Sequence, residues 1–152
     1  GGVMRLVVQR VLGASVEIRK ELISEIGKGL LVYLGVGNND VLTDVDYLVN
    51  KVLCLRIFED KTGKMNLNLE EVGGSILLVS QFTLYGDCRK GQRPSFSKAA
   101  LPEKAAELYQ NFVDGCIQRK IKIETGIFRE MMQIKSINDG PVTLILDSHK
   151  LF

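Results

Sequence analysis

The chain has 152 residues, a net charge of +2, 45% apolar and 25% charged side chains. That is enough for one hydrophobic core and too little for two, so a single domain over residues 4–152 is expected. No apolar run approaches membrane-spanning length, which argues against a membrane partner, and the mild charge restricts any nucleic-acid site to a local basic patch. Three cysteines, Cys54, Cys88 and Cys116, are odd in number and widely spaced, and read as reduced thiols of a cytoplasmic protein. Gly1 to Val3, ahead of Met4, lack the charged-then-apolar pattern of a signal peptide and are read as an appended leader outside the fold.

Met4 to Val11 is apolar on both faces and predicts an inner strand; Gly13 predicts a turn, and Ala14 to Ile18 a half-exposed strand returning beside the first. A short Ile23 to Ile26 segment and a Gly27-Lys28-Gly29 turn lead into Leu30 to Val36, a nearly unbroken apolar strand. Val45, Leu48, Val49, Val52 and Leu53 have helical spacing, with Asp40 or Thr43 as candidate caps. Leu55 to Phe58 has strand character, Asp60 to Gly63 is a turn, and Lys64 to Gly74 has no clear period. Ile76 to Val79 is a buried strand. Pro102 suits the first position of a second helix, whose apolar stripe runs from Ala105 through Leu108, Tyr109, Phe112, Val113 and Cys116 to Ile117. Ile121 to Glu124 and Met131 to Ile137 read as strands, Asn138 to Pro141 as a turn, and Val142 to Asp147 as the last strand. Strands in short connections with only two helices predict a single α/β domain of mixed, mostly antiparallel sheet covered by helices.

Chemistry concentrates where the Ile76–Val79 strand ends in Ser80-Gln81-Phe82-Thr83-Leu84, followed by a loop carrying Arg89, Lys90, Arg93 and Lys98. A strand delivering polar groups to a pocket edge beside a basic loop suits an anionic partner. Nucleophilic pairs are poorly supported: His149 is the only histidine and lies near the end of the chain, and no metal-ligand spacing or cofactor motif is present. Thr83 and Ser80 lack a neighbouring base in sequence. The backbone amides of Gln81, Phe82 and Thr83, if unpaired at a strand end, would instead face a developing oxyanion. Asn138-Asp139-Gly140-Pro141 reads first as a turn; a cis Gly140-Pro141 bond would alternatively present rigid carbonyls as a steric gauge.

Ser80-Gln81-Phe82-Thr83-Leu84 together with Asn138-Asp139-Gly140-Pro141-Val142-Thr143, in that order and over Met4 to about Asp147, resembles the D-aminoacyl-tRNA deacylase family. The resemblance implies a three-layer α/β/β domain and a homodimer. It implies hydrolysis of the ester joining a D-amino acid to the terminal adenosine of tRNA, and of glycine misattached to alanine tRNA. Gly140 and Pro141 match the Gly-cisPro motif that enters the mate's pocket and rejects L-amino acids. Arg10 matches an arginine supporting that motif's carbonyls, with Asn138 beside it. Chemistry in the family is attributed chiefly to the ribose 2′-hydroxyl, so Ser80, Gln81, Phe82 and Thr83 are assigned to framing the ester, Thr83 as an orienting group. Gly91, Arg93, Pro94 and Phe96 match a second segment: Phe96 is read as a pocket wall, and Arg89, Lys90 and Arg93 as tRNA phosphate contacts. Phe128 and Met132, after Gly126, are read as lining the adenosine pocket, although Arg129 stands where a small residue is usual. Tyr85 and Cys88 receive no role, and neither DNA nor a metal is expected as a partner.

Two other readings use the same residues. A non-catalytic RNA-binding dimer would keep the basic loop and lose turnover; a threonine-nucleophile esterase would depend on Thr83 and not on the 2′-hydroxyl.

Overall fold

Two strands with no polar face set the layout. Leu30, Leu31, Val32 and Leu34 are fully buried, as are Ile76, Leu77 and Leu78, because apolar residues on both faces of a strand require cover on both sides. In a computed structural model of the chain, which describes residues 2–152, these strands are β3 (Gly29–Gly35) and β6 (Ser75–Ser80), paired in parallel at the centre of a six-stranded sheet. β7 (Lys122–Thr125) extends the sheet in parallel beside β6. On the other side lies β1 (Arg5–Ile18), which pairs antiparallel with β3, with β2 (Glu21–Ile26) and, along its opposite edge, with β8 (Gln133–Asp147). A short ribbon of β4 (Phe58–Glu59) and β5 (Met65–Leu67) stands apart.

Alternation along the strands divides the apolar residues between two cores. Leu30, Val32, Leu34, Ile76 and Leu78 face α1 (Leu42–Cys54) and α2 (Pro102–Gln118), whose buried stripes include Val45, Leu48, Val52, Leu108 and Phe112. Leu31, Leu77 and Val79 face the other way, onto Val11, Ala14, Val16 and Ile26, where the far half of β1 and β2 curl over the sheet. Ser24 Oγ donates to the Thr125 carbonyl at 2.7 Å, so β2 approaches β7 and nearly closes the sheet. The result is three layers, α/β/β.

The hairpin expected at Gly13 is absent: β1 runs straight through it and the chain reverses at Arg19-Lys20, both in the left-handed region. Leu6 and Val8 face the helices, whereas Ala14 and Val16, still even-numbered, face the second core. Register shifts against β8 between Gln9 and Val11, and again between Val11 and Gly13, permit that change of face. Asn138 to Pro141 is likewise not a turn between two strands. Gln9 pairs with Thr143 and Val11 with Asn138, so Asp139 to Val142 bulge out of a continuous β8 opposite Arg10.

Smaller differences have local causes. Leu55 to Phe58 does not form a strand, because the Leu55 amide closes α1 on Lys51 O at 3.0 Å and only Phe58 enters the ribbon. Ile117 is exposed at the end of α2. Gly2 and Val3 are packed rather than outside the fold: the Gly2 amide meets Asp44 Oδ2 at 3.3 Å, and the Val3 carbonyl accepts from the Tyr85 hydroxyl. Cys54, Cys88 and Cys116 are unpaired thiols, and burial pushes Cys116 up to about 12.

The cap of α1 also differs. Val41 occupies the N-cap, and Asp44 reaches back to its amide at 2.8 Å. Asp40 is fully buried, one carboxylate oxygen accepting from the Gly37 amide at 2.6 Å and the other without a hydrogen-bond partner among the described residues. Burial raises its pKa from 3.8 to about 6; the Asp44 carboxylate adds to the rise, while the Gly37 amide, Lys104 and His149 oppose it.

Two stability measurements follow from this packing. A Cβ on Gly29 would stand 1.9 Å from the Ser75 carbonyl oxygen in the β3–β6 register, so Gly29→Ala is expected to cost about 3 kcal/mol and lower Tm by roughly 6–12 °C. For Asp40 the folded pKa lies above the unfolded one, so the group favours folding below about pH 4, loses that advantage as pH rises to about 6, and burdens the fold fully above it. Asp40→Asn keeps an acceptor for Gly37 and removes the charge. Thermal melts should show it more stable than wild type by about 1–3 kcal/mol at pH 7–8, with the difference shrinking towards pH 4.

Candidate active site

β6 carries the polar residues to the edge of the sheet. At its end the Gln81 amide still donates to Leu34 O at 2.8 Å, so this amide belongs to the sheet and is not available to a ligand as expected from sequence. Phe82 to Tyr85 then form a 3-10 turn. Leu84 N to Gln81 O, at 3.2 Å, is its first backbone bond, which leaves the preceding Phe82 and Thr83 amides at the turn's open end.

Three contacts fix this turn. Gly35 lies beneath it, where a Cβ would come within 3.0 Å of Leu84 Cβ. Arg5 Nη1 donates to Leu84 O at 2.8 Å, and its guanidinium lies 4.5 Å from the Tyr85 ring centroid. Tyr85 is buried, which raises its phenol pKa, and it donates to Val3 O. Sequence reasoning gave Tyr85 no role and did not single out Arg5; the pairing of β1 with β3 that brings them together spans too much chain to be visible locally.

Ser80, Gln81, Phe82 and Thr83 all line a cavity of about 670 Å³. Phe96 and Phe82 meet edge to face, with centroids 5.2 Å apart, and form one wall. Phe128 and Met132 also line it; Phe128 lies 6.0 Å from the ring of Tyr109, whose hydroxyl donates to Leu78 O at 2.7 Å. The opposite wall, Ala99 to Pro102, was not anticipated. It is held by Ala100 N to Val36 O at 2.9 Å and Asn38 N to Lys98 O at 3.0 Å, while Asp40 shapes the loop below through Gly37.

The Thr83 hydroxyl is hydrogen-bonded by the Gln81 side-chain amide, which is no base. The ionisable side chains lining the cavity are Arg129 and Glu130, and His149 is not among its lining residues. Among the described residues no cluster of ligating side chains is arranged for a metal. The cavity is therefore suited to positioning an apolar-faced ligand and its polar reacting group, with no activated protein nucleophile.

Other anticipated residues lie elsewhere. Arg89 is held by Asp87 through two contacts, Nε to Oδ1 at 2.9 Å and Nη2 to Oδ2 at 2.7 Å; the same contacts lower the Asp87 carboxyl to about 2. Lys90 and Arg93 are exposed on this loop, and none of the three lines the cavity. Gly140 and Pro141 also lie outside it, exposed on the bulge of β8, with a cis peptide bond between them.

That bulge is firmly based. Buried Arg10 donates from Nη1 to Ile57 O at 2.7 Å and from Nε to Asp139 O at 3.2 Å, with Asp139 Oδ2 at 3.4 Å. Asn138 accepts from the Val142 amide at 3.2 Å and donates to Thr143 Oγ1 at 2.9 Å, joining the two ends of the bulge.

Comparison with known proteins agrees with this geometry. Residues 7–147 match the family model described as D-Tyr-tRNA(Tyr) deacylase. The chain is 58% identical over 150 residues to the D-aminoacyl-tRNA deacylase of Thermosipho melanesiensis, and 52% identical over 149 residues to that of Thermotoga petrophila. In both cases 98% of this chain and 100% of the relative are covered. Among solved structures, a c-Myc DNA unwinding element binding protein superimposes with a TM-score of 0.87 at 39% identity, covering 93% of this chain and 97% of that one. A probable eukaryotic D-amino acid tRNA deacylase shares the fold with a TM-score of 0.84 at 18% identity, covering 96% and 100%. With a family model matched over nearly its whole length and relatives above half identity, this chain belongs to the D-Tyr-tRNA(Tyr) deacylase family.

Proposed function

We propose that the chain hydrolyses the ester of D-aminoacyl-tRNA, holding the aminoacylated terminal adenosine in the cavity bounded by Ser80 to Thr83, Phe96, Phe128 and Met132. The observation that carries this reading is a ligand-sized cavity in which Thr83 has no activating base, within a chain of this family. An ester next to a ribose 2′-hydroxyl supplies its own assisting group, so fixing its orientation is a sufficient contribution from the protein. The Phe82 and Thr83 amides, at the open end of the 3-10 turn, face the developing oxyanion, and the Thr83 hydroxyl orients the ester.

Chiral selection is assigned to Gly140-Pro141 of a second copy. β8 pairs with β1 on one edge only, and Leu12, Ile137 and Ile145 are exposed, which supports a homodimer built across this face. Arg10 and Asn138 hold the bulge rigid, as a steric gauge requires. Such a gauge excludes L side chains, leaves D side chains outside the pocket, and admits glycine, including glycine on alanine tRNA. Action on charged tRNA calls for a cytoplasmic protein. Among the described residues no helix is long and apolar enough to cross a membrane.

Release of tyrosine from D-Tyr-tRNA and L-Tyr-tRNA by purified protein tests this reading. The D ester is expected to be lost at least about 100-fold faster, about 2.7 kcal/mol of discrimination. Thr83→Ala should retain activity to within about tenfold, whereas D-Tyr-tRNA ending in 2′-deoxyadenosine should lose on the order of 1000-fold. The opposite pattern would establish Thr83 as a nucleophile. Binding of tRNA without loss of either ester would leave an RNA-binding protein that does not turn over.

A further inference from the structure

One cation faces the cavity and has no use in the scheme above. Arg129 lines it, is exposed, and makes no ion pair or side-chain hydrogen bond among the described residues. Its surroundings differ from those of the other basic residues nearby: Arg89 is occupied by Asp87, and Lys90 and Arg93 lie outside the cavity wall. Glu130, also at the cavity, is likewise outside any ion pair.

The backbone adds a second observation. Arg129 has φ +68°, in a turn closed by Glu130 N to Ile127 O at 3.2 Å. An L side chain in the left-handed region costs about 1 kcal/mol or more, a cost glycine would avoid, so the position sets a long cationic side chain on a backbone that does not favour it. The turn places Phe128 on the cavity wall immediately before it and Met132 shortly after. For a nucleoside whose base or ribose packs against these apolar groups, Arg129 is the lining residue able to attract a 5′ phosphate, since Glu130 would repel it. A guanidinium suits a phosphate there because its planar donors engage two oxygens at once.

We propose that Arg129 binds the phosphate on the 5′ side of the nucleoside held in the cavity, making it a substrate-binding residue. The proposal rests on the reading that the cavity takes the terminal adenosine of tRNA. It makes the phosphate joining the last two nucleotides a recognised part of the substrate.

Calorimetric titration of the full chain with adenosine and with 5′-AMP separates this contact from turnover. Wild type is expected to bind 5′-AMP about tenfold more tightly than adenosine at 50 mM salt, and the preference should shrink as salt rises. Arg129→Gly should abolish the preference; glycine accepts φ +68° without strain, and a thermal melt confirms that the variant is folded. Arg129→Lys should restore part of it. With D-Tyr-tRNA, Arg129→Gly is expected to raise KM about fivefold or more and flatten its salt dependence, with the larger effect on KM than on kcat.

Failure of wild type to prefer 5′-AMP overturns the proposal, as does a preference that survives in Arg129→Gly. If 5′-AMP binding depends on Arg129 but D-Tyr-tRNA is not hydrolysed, the phosphate contact stands and the deacylase reading falls.

Discussion

One strand, β1, is hydrogen-bonded along both edges and has to serve two cores. Side chains on a strand alternate, so an unbroken register would send Leu6, Val8, Ala14 and Val16 to a single face. The register shifts on either side of Val11 resolve this, turning the first half of the strand towards the helices and the second towards the small core under β2. The same irregularity leaves Arg10 opposite the bulged Asp139–Val142 segment. A packing requirement and the presentation of Gly140-Pro141 thus share one origin. Arg10 is buried at the point where strand pairing lapses, and its guanidinium binds the carbonyl of the bulged Asp139 and, from outside the ladder, that of Ile57.

The cavity depends on the end of β6 in a comparable way. The strand remains in the sheet through the Gln81 amide, then tightens into the 3-10 turn, and Ser80 to Thr83 at this transition line the cavity. Arg5, Gly35 and Tyr85 support the turn from below, and the Gly37–Asp40 loop supports the facing wall. The supporting groups come from β1, β3 and the loop after it, and the turn itself, while the lining comes from the end of β6, the turn, the stretch before α2 and the 128–134 region.

The local sequence carried the elements whose pattern is self-contained. The apolar runs of β3 and β6, both helices and Pro102 at its helix start were legible in it; the grouping of Ser80 to Thr83 with Phe96, Phe128 and Met132 came from the family resemblance, and the structure brings them to one cavity. What was not legible depended on partners distant in the chain. Gly13 and Asn138 to Pro141 have turn chemistry, and nothing local distinguishes a reversal from a bulge in a paired strand. Asp40 is a good capping residue by type, yet burial beside Gly37 diverted it from the helix. Arg89 has the composition of a phosphate ligand until Asp87, two residues away, occupies its fork. Gly2 and Val3 carry no pattern, and their packing follows from the positions of Asp44 and Tyr85.

The pairing of β1 with β8 also governs the order in which this molecule can be built. Arg5 is matched with Asp147 and Glu17 with Gln133, so the longest ladder joins segments more than a hundred residues apart. On a ribosome, the first strand made must wait for the last, and no local hairpin can substitute along that edge. During synthesis one edge of β1 is open, and the apolar residues of its inner face depend on β3 and the helices for cover. Closure by β8 is therefore a late event that completes the Arg10-supported bulge, so the surface assigned to chiral selection comes into being only after the rest of the sheet has formed.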